Sequence, residues 1–247
     1  MNEDKFTKKS SIYDKYRPSY STDLIEYLYT KAGFNNKSKI ADIGAGTGIF
    51  SEQLLKQGSQ VILIEPNVSM LREARKKLSN YKNASFLLSN AEKIDLPSHS
   101  LDYITVAQAF HWFDLEKFKA ECERLLVENG KVLLTWNITN SETKVMQDLA
   151  YLNKLYLGKC YNTRDKEDLK SYLKFFKGYI LNYFDNDLEL NLEQFIGRCL
   201  SRSYSPDKND EIYDKYISEL KKIFNDNSKN DKIIIKNKTR SMIGMVK

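Results

Sequence analysis

The stretch that most constrains this chain runs from Lys39 to Pro66, KIADIGAGTGIFSEQLLKQGSQVILIEP. A short apolar run, Ile40 to Ile43, ends at Gly44-Ala45-Gly46-Thr47-Gly48. A helical pattern follows, with Phe50 and Leu54 one turn apart on one face and Leu55 beside them. A second apolar run, Val61 to Ile64, ends at Glu65. Strand, glycine turn, helix, strand and acid make a βαβ unit of the kind that holds a nucleoside. The alternative is a glycine turn with a purely structural role.

The residue types suit the first reading. A strand that turns tightly into a helix needs residues without Cβ where φ is positive or where a ligand approaches the backbone. The helix start then offers unpaired N–H groups and a partial positive charge. A carboxylate at Glu65 can accept two hydrogen bonds from ribose hydroxyls, each worth roughly 1.5–3 kcal/mol. The spacing disfavours a dinucleotide: G-x-G-x-x-G needs glycine at position 49, where this chain has Ile49. G-x-G-x-G is the pattern of class I S-adenosylmethionine (SAM) methyltransferases, and the stretch resembles that family. The resemblance implies that Gly44, Ala45, Gly46, Gly48, Glu65 and Pro66 hold SAM.

A chain of 247 residues is one large domain, or one with a lid. No apolar run reaches the length of a membrane span, and MNEDKFTKKS lacks the apolar segment of a signal peptide, which points to a cytoplasmic protein. Cys122, Cys160 and Cys199 are far apart and form neither a metal spacing nor a disulfide framework. The net charge of +6 is spread through interspersed lysines and acids, with its clearest excess from Lys229 to Lys247. That distribution favours a lysine-rich composition over nucleic-acid binding.

The N-terminal segment Ile12-Tyr13-Asp14-Lys15-Tyr16-Arg17-Pro18-Ser19-Tyr20 packs three tyrosines and an arginine into nine residues. Pro18 holds Arg17 extended. It is either a packing segment or a flap over residues 1–20, with Arg17 pairing a carboxylate. It resembles the YxxYRPxYP element of one small-molecule branch of these methyltransferases. The resemblance implies that Tyr16 and Arg17 cover the SAM site.

Ser21 or Thr22 can cap a helix to about Ala32, which Gly33 can end. Asn67 caps a helix whose Val68, Leu71, Ala74 and Leu78 share a face. Met70 is core filler or, by the resemblance, a contact of the adenine. Ala84 to Leu88 reads as a third strand, running into Ser89-Asn90-Ala91-Glu92. Members of the family usually carry an acid before the alanine that binds the adenine amine. Here Asn90 stands near that place, and Asn90, Ala91 and Glu92 are all candidates, against a plain solvated turn.

Leu101 to Ala107 is a fourth strand, ending at Gln108-Ala109-Phe110-His111-Trp112-Phe113-Asp114. In a doubly wound sheet, ligands sit beyond the carboxyl ends of strands. The ends near Gly44 and Gln108 then face one crevice. AQAFHWFD is similar to the same methyltransferase branch, which places Gln108 against the cofactor. His111 is the candidate general base, or a hydrogen-bonded residue that shapes the pocket. Trp112 and Phe113 are pocket or core. Asp114 caps a helix through Leu115, Phe118, Cys122 and Leu125, closed by Asn129-Gly130. Lys131 to Trp136 is a fifth strand.

After Asn140 the alternation stops. Met146 to Leu157, Asp168 to Phe176, Leu192 to Leu200 and Glu211 to Phe224 read as helices. Gly178 to Phe184 reads as a strand, and Lys232 to Val246 as one more, or two with a bend at Gly244. The reading is an α/β fold: a doubly wound, seven-stranded, mostly parallel sheet with an added helical lid from segments 141–177 and 192–226. Tyr13, Tyr16, Tyr20 and Tyr204 can make an aromatic acceptor pocket, joined by Trp112 and Ser203. Arg202 can attract an acidic acceptor or face solvent.

The resemblance implies a SAM-dependent methyltransferase acting on a small molecule, some relatives methylating carboxylates and others heterocycle nitrogens. The electrophile comes with the cofactor, so no metal is needed. An RNA or DNA methyltransferase on the same fold would need a contiguous basic surface, and the N-P-P-Y base-handling motif is absent. A SAM-binding protein without an acceptor cavity is the third reading. The acceptor and the oligomeric state, monomer or homodimer, stay open.

Overall fold

The computed structural model of the protein describes residues 15–158, 172, 174–202 and 204–246. The apolar runs become parallel strands β1 (Lys39–Ile43), β2 (Gln60–Ile64), β3 (Ala84–Leu87), β4 (Leu101–Ala107) and β5 (Leu126–Thr139). Strand β9 (Asn237–Val246) runs antiparallel between β5 and the edge strand β6 (Phe176–Asp185). The order of the seven strands is β3-β2-β1-β4-β5-β9-β6. The reversal beside β1 sets up the crevice, because loops leaving β1 and β4 diverge to opposite faces at that point.

Helices α1 (Thr22–Thr30), α2 (Ile49–Leu55) and α3 (Val68–Leu78) bury one face of the sheet. Leu24, Leu28, Phe50, Leu54 and Leu63 are buried there, each worth about 1.5–3 kcal/mol. On the other face, α4 (Leu115–Leu125) packs Phe118, Cys122 and Leu125 against Ile104, Trp136 and Met242. Ser21 caps α1 through its hydroxyl and Asn67 caps α3 through its amide oxygen.

A third buried cluster lies apart from both. Helices α5 (Lys144–Leu157), α6 (Leu192–Leu200) and α7 (Tyr213–Asn227) pack Met146, Leu149, Phe195, Tyr216, Leu220 and Phe224 together. Ile233 and Ile235 of β8 (Ile233–Ile235) complete it, with β8 paired antiparallel to β7 (Leu188–Leu190) in a sheet of two strands. This is the helical addition to the fold.

Local readings differ from the structure in four places. Val68 is exposed, and Met70 is buried with Leu71, Ala74 and Leu78 on the face of α3 that meets the core. Asn129-Gly130 lies inside β5, at a register shift between the Leu101 and Tyr103 pairings, and α4 already ends at Leu125. The Lys232–Val246 run divides at Lys236, not at Gly244, which pairs with Val132 within β9. Of the helix expected over 168–176, residues 168–171 and 173 lie outside the described residues. Tyr172, Lys174 and Phe175 are helical, and Phe176 already belongs to β6.

Candidate active site

The glycine loop is fastened to the end of β2. Gly44 N and Ala45 N donate to Ile64 O at 2.8 and 3.1 Å, and Gly46 N donates to Glu65 Oε2 at 2.9 Å. Gly44 has φ +69°, and a Cβ there would lie 2.6 Å from the Ala109 Cβ. The loop after β1 and the loop after β4 are therefore in van der Waals contact, and Gly44 is the residue that lets them meet. Gly48, at φ +79°, is pressed on Leu78 and Leu63 in the same way. Gly46 differs: its nearest neighbour in the Cβ direction is Met70 Sδ, at 3.8 Å.

Glu65 is buried, and its other oxygen accepts from Asn67 N at 3.0 Å across Pro66. A carboxylate can take about four hydrogen bonds, so two backbone donors orient it without exhausting it. Asn67 Oδ1 in turn accepts from Met70 N at 3.0 Å. The chain Gly46–Glu65–Asn67–Met70 thus brings together four residues around one concave backbone.

Beneath the loop lies a carboxylate that the sequence reading passed over. Asp42 is fully buried and accepts from Ser51 Oγ, and from Thr105 Oγ1 at 2.8 Å. Burial raises its pKa to about 6; the two hydroxyls oppose this, and the nearby Glu65 charge adds to it. Asp42 ties β1, α2 and β4 together directly under the glycine turn. The available signal was an acid inside an otherwise apolar strand. Thr47, also passed over, is buried, and its hydroxyl finds no hydrogen-bond partner among the described residues.

After β3, Ala91 enters the main core and Asn90 is exposed, its backbone bridging to Lys93. The Asn90 side chain makes no hydrogen bond among the described residues. Glu92 Oε1 accepts from Asp114 N at 3.0 Å, so Glu92 ties this loop to the start of α4. After β4, Gln108 adopts a left-handed φ of +60° and donates from Nε2 to Asn137 O at 3.3 Å. His111 is exposed, with its ring 4.7 Å from that of Trp112, which is 51% exposed. Phe113 instead turns inward onto Phe118 and the Gly44 backbone.

The N-terminal tyrosines separate. Tyr20 is buried, its ring edge-on to Phe50 at 5.0 Å, so the structure places it in the core rather than in a pocket. Its backbone is held by Gln53 from both sides, at 3.1 and 2.9 Å. Tyr16 lies on α6: its hydroxyl donates to Glu193 at 2.8 Å, and its ring fills the space where Gly197 lacks a Cβ. Arg17 Nη2 donates to Ser201 O at 3.5 Å. The segment is thus anchored by its Tyr20 end to the sheet and laid by its Tyr16 end on the helical addition. Tyr204 is exposed, and its hydroxyl accepts from Arg202 Nη1 at 2.6 Å. Tyr13 and Ser203 lie outside the described residues.

Fold and loop define the class: a Rossmann-like domain with the seven-stranded sheet of class I methyltransferases. Residues 41–134 match the family described as Methyltransferase domain. A Dictyostelium discoideum protein, named only provisionally as a methyltransferase, is 39% identical over 156 residues, covering 60% of this chain and 57% of its own. A Mycobacterium tuberculosis protein named as an uncharacterised methyltransferase is 33% identical over 145 residues, 59% of this chain and 57% of its own. The matched part thus spans a little over half the length of these curated relatives. A solved structure from Anaeromyxobacter dehalogenans, provisionally described as a type II methyltransferase, superposes with a TM-score of 0.71 at 19% identity. It covers 93% of this chain and 97% of that one, and shows the shared fold. No helix among the described residues is long and apolar enough to cross a membrane.

Proposed function

We propose that this protein transfers a methyl group from SAM to a small-molecule acceptor, a carboxylate, hydroxyl or heterocycle nitrogen. The observation that carries the reading is the Gly46–Glu65–Met70 arrangement. Gly46 leaves its Cβ direction open toward Met70, and Glu65 is buried and pre-oriented beside it. These groups fit SAM. A carboxylate suits the ribose diol, the bare glycine backbone allows close approach, and the buried Thr47 hydroxyl, with no partner among the described residues, can bond a ligand. Glu65 would hold the ribose, Met70 and Ala91 the adenine plane, and Asn90, which is exposed, its amine edge. Gly44, Ala45, Gly48, Pro66 and Gln108 would shape the rest of the cradle. Glu92, bonded to Asp114 N, would act by holding the Asn90 loop in place.

When bound, SAM supplies an activated methyl group on a sulfonium. The chain's own work is then orientation, which can supply roughly 7–11 kcal/mol of barrier reduction, and exclusion of water. His111 and Trp112 stand side by side on the loop after β4, exposed toward the place an acceptor would occupy. His111 takes a proton from a hydroxyl or protonated nitrogen, and a carboxylate acceptor needs no base. Of the expected flap and lid, the described parts, residues 15–20, 141–158, 172, 174–177, 192–202 and 204–226, would carry Tyr16, Arg17 and Tyr204 beside the site.

The test is incubation with methyl-labelled SAM and a fractionated cell extract, beside calorimetry with S-adenosylhomocysteine (SAH). Label in the small-molecule fraction supports the proposal; label in RNA or DNA overturns the acceptor class. His111→Ala is expected to lower turnover more than SAH affinity. Wild-type values for both would remove His111 from the site.

A further inference from the structure

Arg198 is an arginine with no acid paired to it among the described residues. It lies on α6 between the buried Gly197 and Cys199, and its Nη2 donates to Thr139 Oγ1 at 3.4 Å. The residue is part-buried, and burial lowers its pKa to about 10. The charged group acting on it is Arg17, a like charge that lowers it further. Arg124, by contrast, grips Glu121 at 2.6 Å and two backbone carbonyls. A part-buried guanidinium with one side-chain hydrogen bond keeps N–H donors for an oxyanion.

The position is built and held. Phe195 and Cys199 are locked in the core of the helical addition, which fixes the face of α6 that carries Arg198. The Tyr16 ring in the notch at Gly197 and the Arg17–Ser201 contact bring the N-terminal segment onto the same helix. Thr139 ends β5 at the carboxyl edge of the sheet, the edge that also carries Gly44 and Gln108.

We propose that Arg198, with Arg17 beside it, is the receptor for an acidic group, a carboxylate or phosphate oxyanion, on the methyl acceptor. The inference rests on the function proposed above and narrows its substrate class. A guanidinium fork matches either oxyanion in a two-point contact. The ligand is the acceptor and not the cofactor on grounds of distance. Thr139 belongs to β5, and Glu65 follows β2. The sheet order puts β1 and β4 between these strands, a separation of roughly 14 Å at the usual strand spacing. An anion bound at Arg198 also draws the N-terminal segment and α6 together, closing the site over an acidic substrate.

The experiment is thermal unfolding of the full chain in citrate, inorganic phosphate or chloride at equal ionic strength, for wild type, Arg198→Met and Arg198→Lys. Citrate or phosphate is expected to raise the wild-type midpoint by about 3 °C over chloride. Arg198→Met loses that response, yet in chloride melts no lower than wild type, because the apolar side chain removes an uncompensated charge. Arg198→Lys keeps the charge without the fork and retains part of the response. A wild type indifferent to both oxyanions, or an Arg198→Met that responds as wild type does, overturns the proposal. Calorimetry with SAH separates the two readings. Unchanged affinity in Arg198→Met supports the acceptor assignment, and a tenfold loss reassigns Arg198 to the cofactor and overturns it. A wild-type chain that binds no SAH sinks the methyl-transfer reading itself.

Discussion

The glycine-loop side and the helical addition solve opposite problems. Around the loop, polar groups answer one another: Glu65 holds Gly46 and Asn67, and Asp42 holds Ser51 and Thr105. Its contacts run between neighbouring strands and the turns that join them. In the addition, the core is assembled from segments far apart in the chain, 144–157, 188–200 and 213–235. There Arg198 is part-buried, with no acid paired to it among the described residues. A binding half that must present one geometry is rigidly cross-tied. The helical addition rests on a separate core and carries Arg198, the residue proposed to meet an acidic acceptor.

That contrast can be broken experimentally. The largest effect is expected from Leu220→Ala, which empties a fully buried position of the separate core and should cost about 2–5 kcal/mol. If the two halves are independent, urea unfolding will show the loss in the addition while SAH still binds. Loss of SAH binding in step with unfolding would erase the distinction.

Next is Asp42, on the cross-tied side. Its folded pKa, about 6, lies above the ordinary 3.8, so the folded state holds a proton that the unfolded chain has released. That contribution is present in full below about pH 4 and is lost as pH rises through about 6, a change of about 3 kcal/mol. Asp42→Asn should therefore gain stability relative to wild type as pH goes from 4 to 7. Parallel stability curves for the two proteins would mean that Asp42 does not titrate there.

The smallest of the three is Glu65→Ala, expected to weaken SAH binding about tenfold or more, or about 1.4 kcal/mol. It also leaves the Gly46 and Asn67 N–H groups without their acceptor. Calorimetry that finds wild-type affinity would show that the cross-tied loop is not where the nucleoside sits.

Much of this was legible in the residues. The turn at Gly44–Gly48, the caps at Ser21 and Asn67, and the strands from Ile40 to Ala107 follow from short-range rules: hydrophobic period, capping chemistry and positive φ at glycine. Such rules act within a few residues, so a linear reading sees them. Asp42 was half legible, as an acid in an apolar strand, but its hydroxyl partners lie on α2 and β4.

Other assignments required the third dimension. Tyr16 and Tyr20 look equivalent in YDKYRPSY, yet one ring lies on α6 and the other in the sheet core against Phe50. Nothing local distinguishes them, because the difference is which distant surface each meets. The run at Lys232–Val246 reads as one strand, or two with a bend at Gly244, but β8 leaves to join β7 while β9 enters the main sheet between β5 and β6. Arg198 is one of many basic residues in the chain until folding part-buries it beside Arg17, with no acid paired to it among the described residues. By itself the sequence determined the βαβ frame, the glycine loop and its acid, because these depend on backbone geometry and neighbours in the chain. Only the tertiary structure decided which charges find partners, because that depends on burial and on groups that long-range packing alone brings into reach.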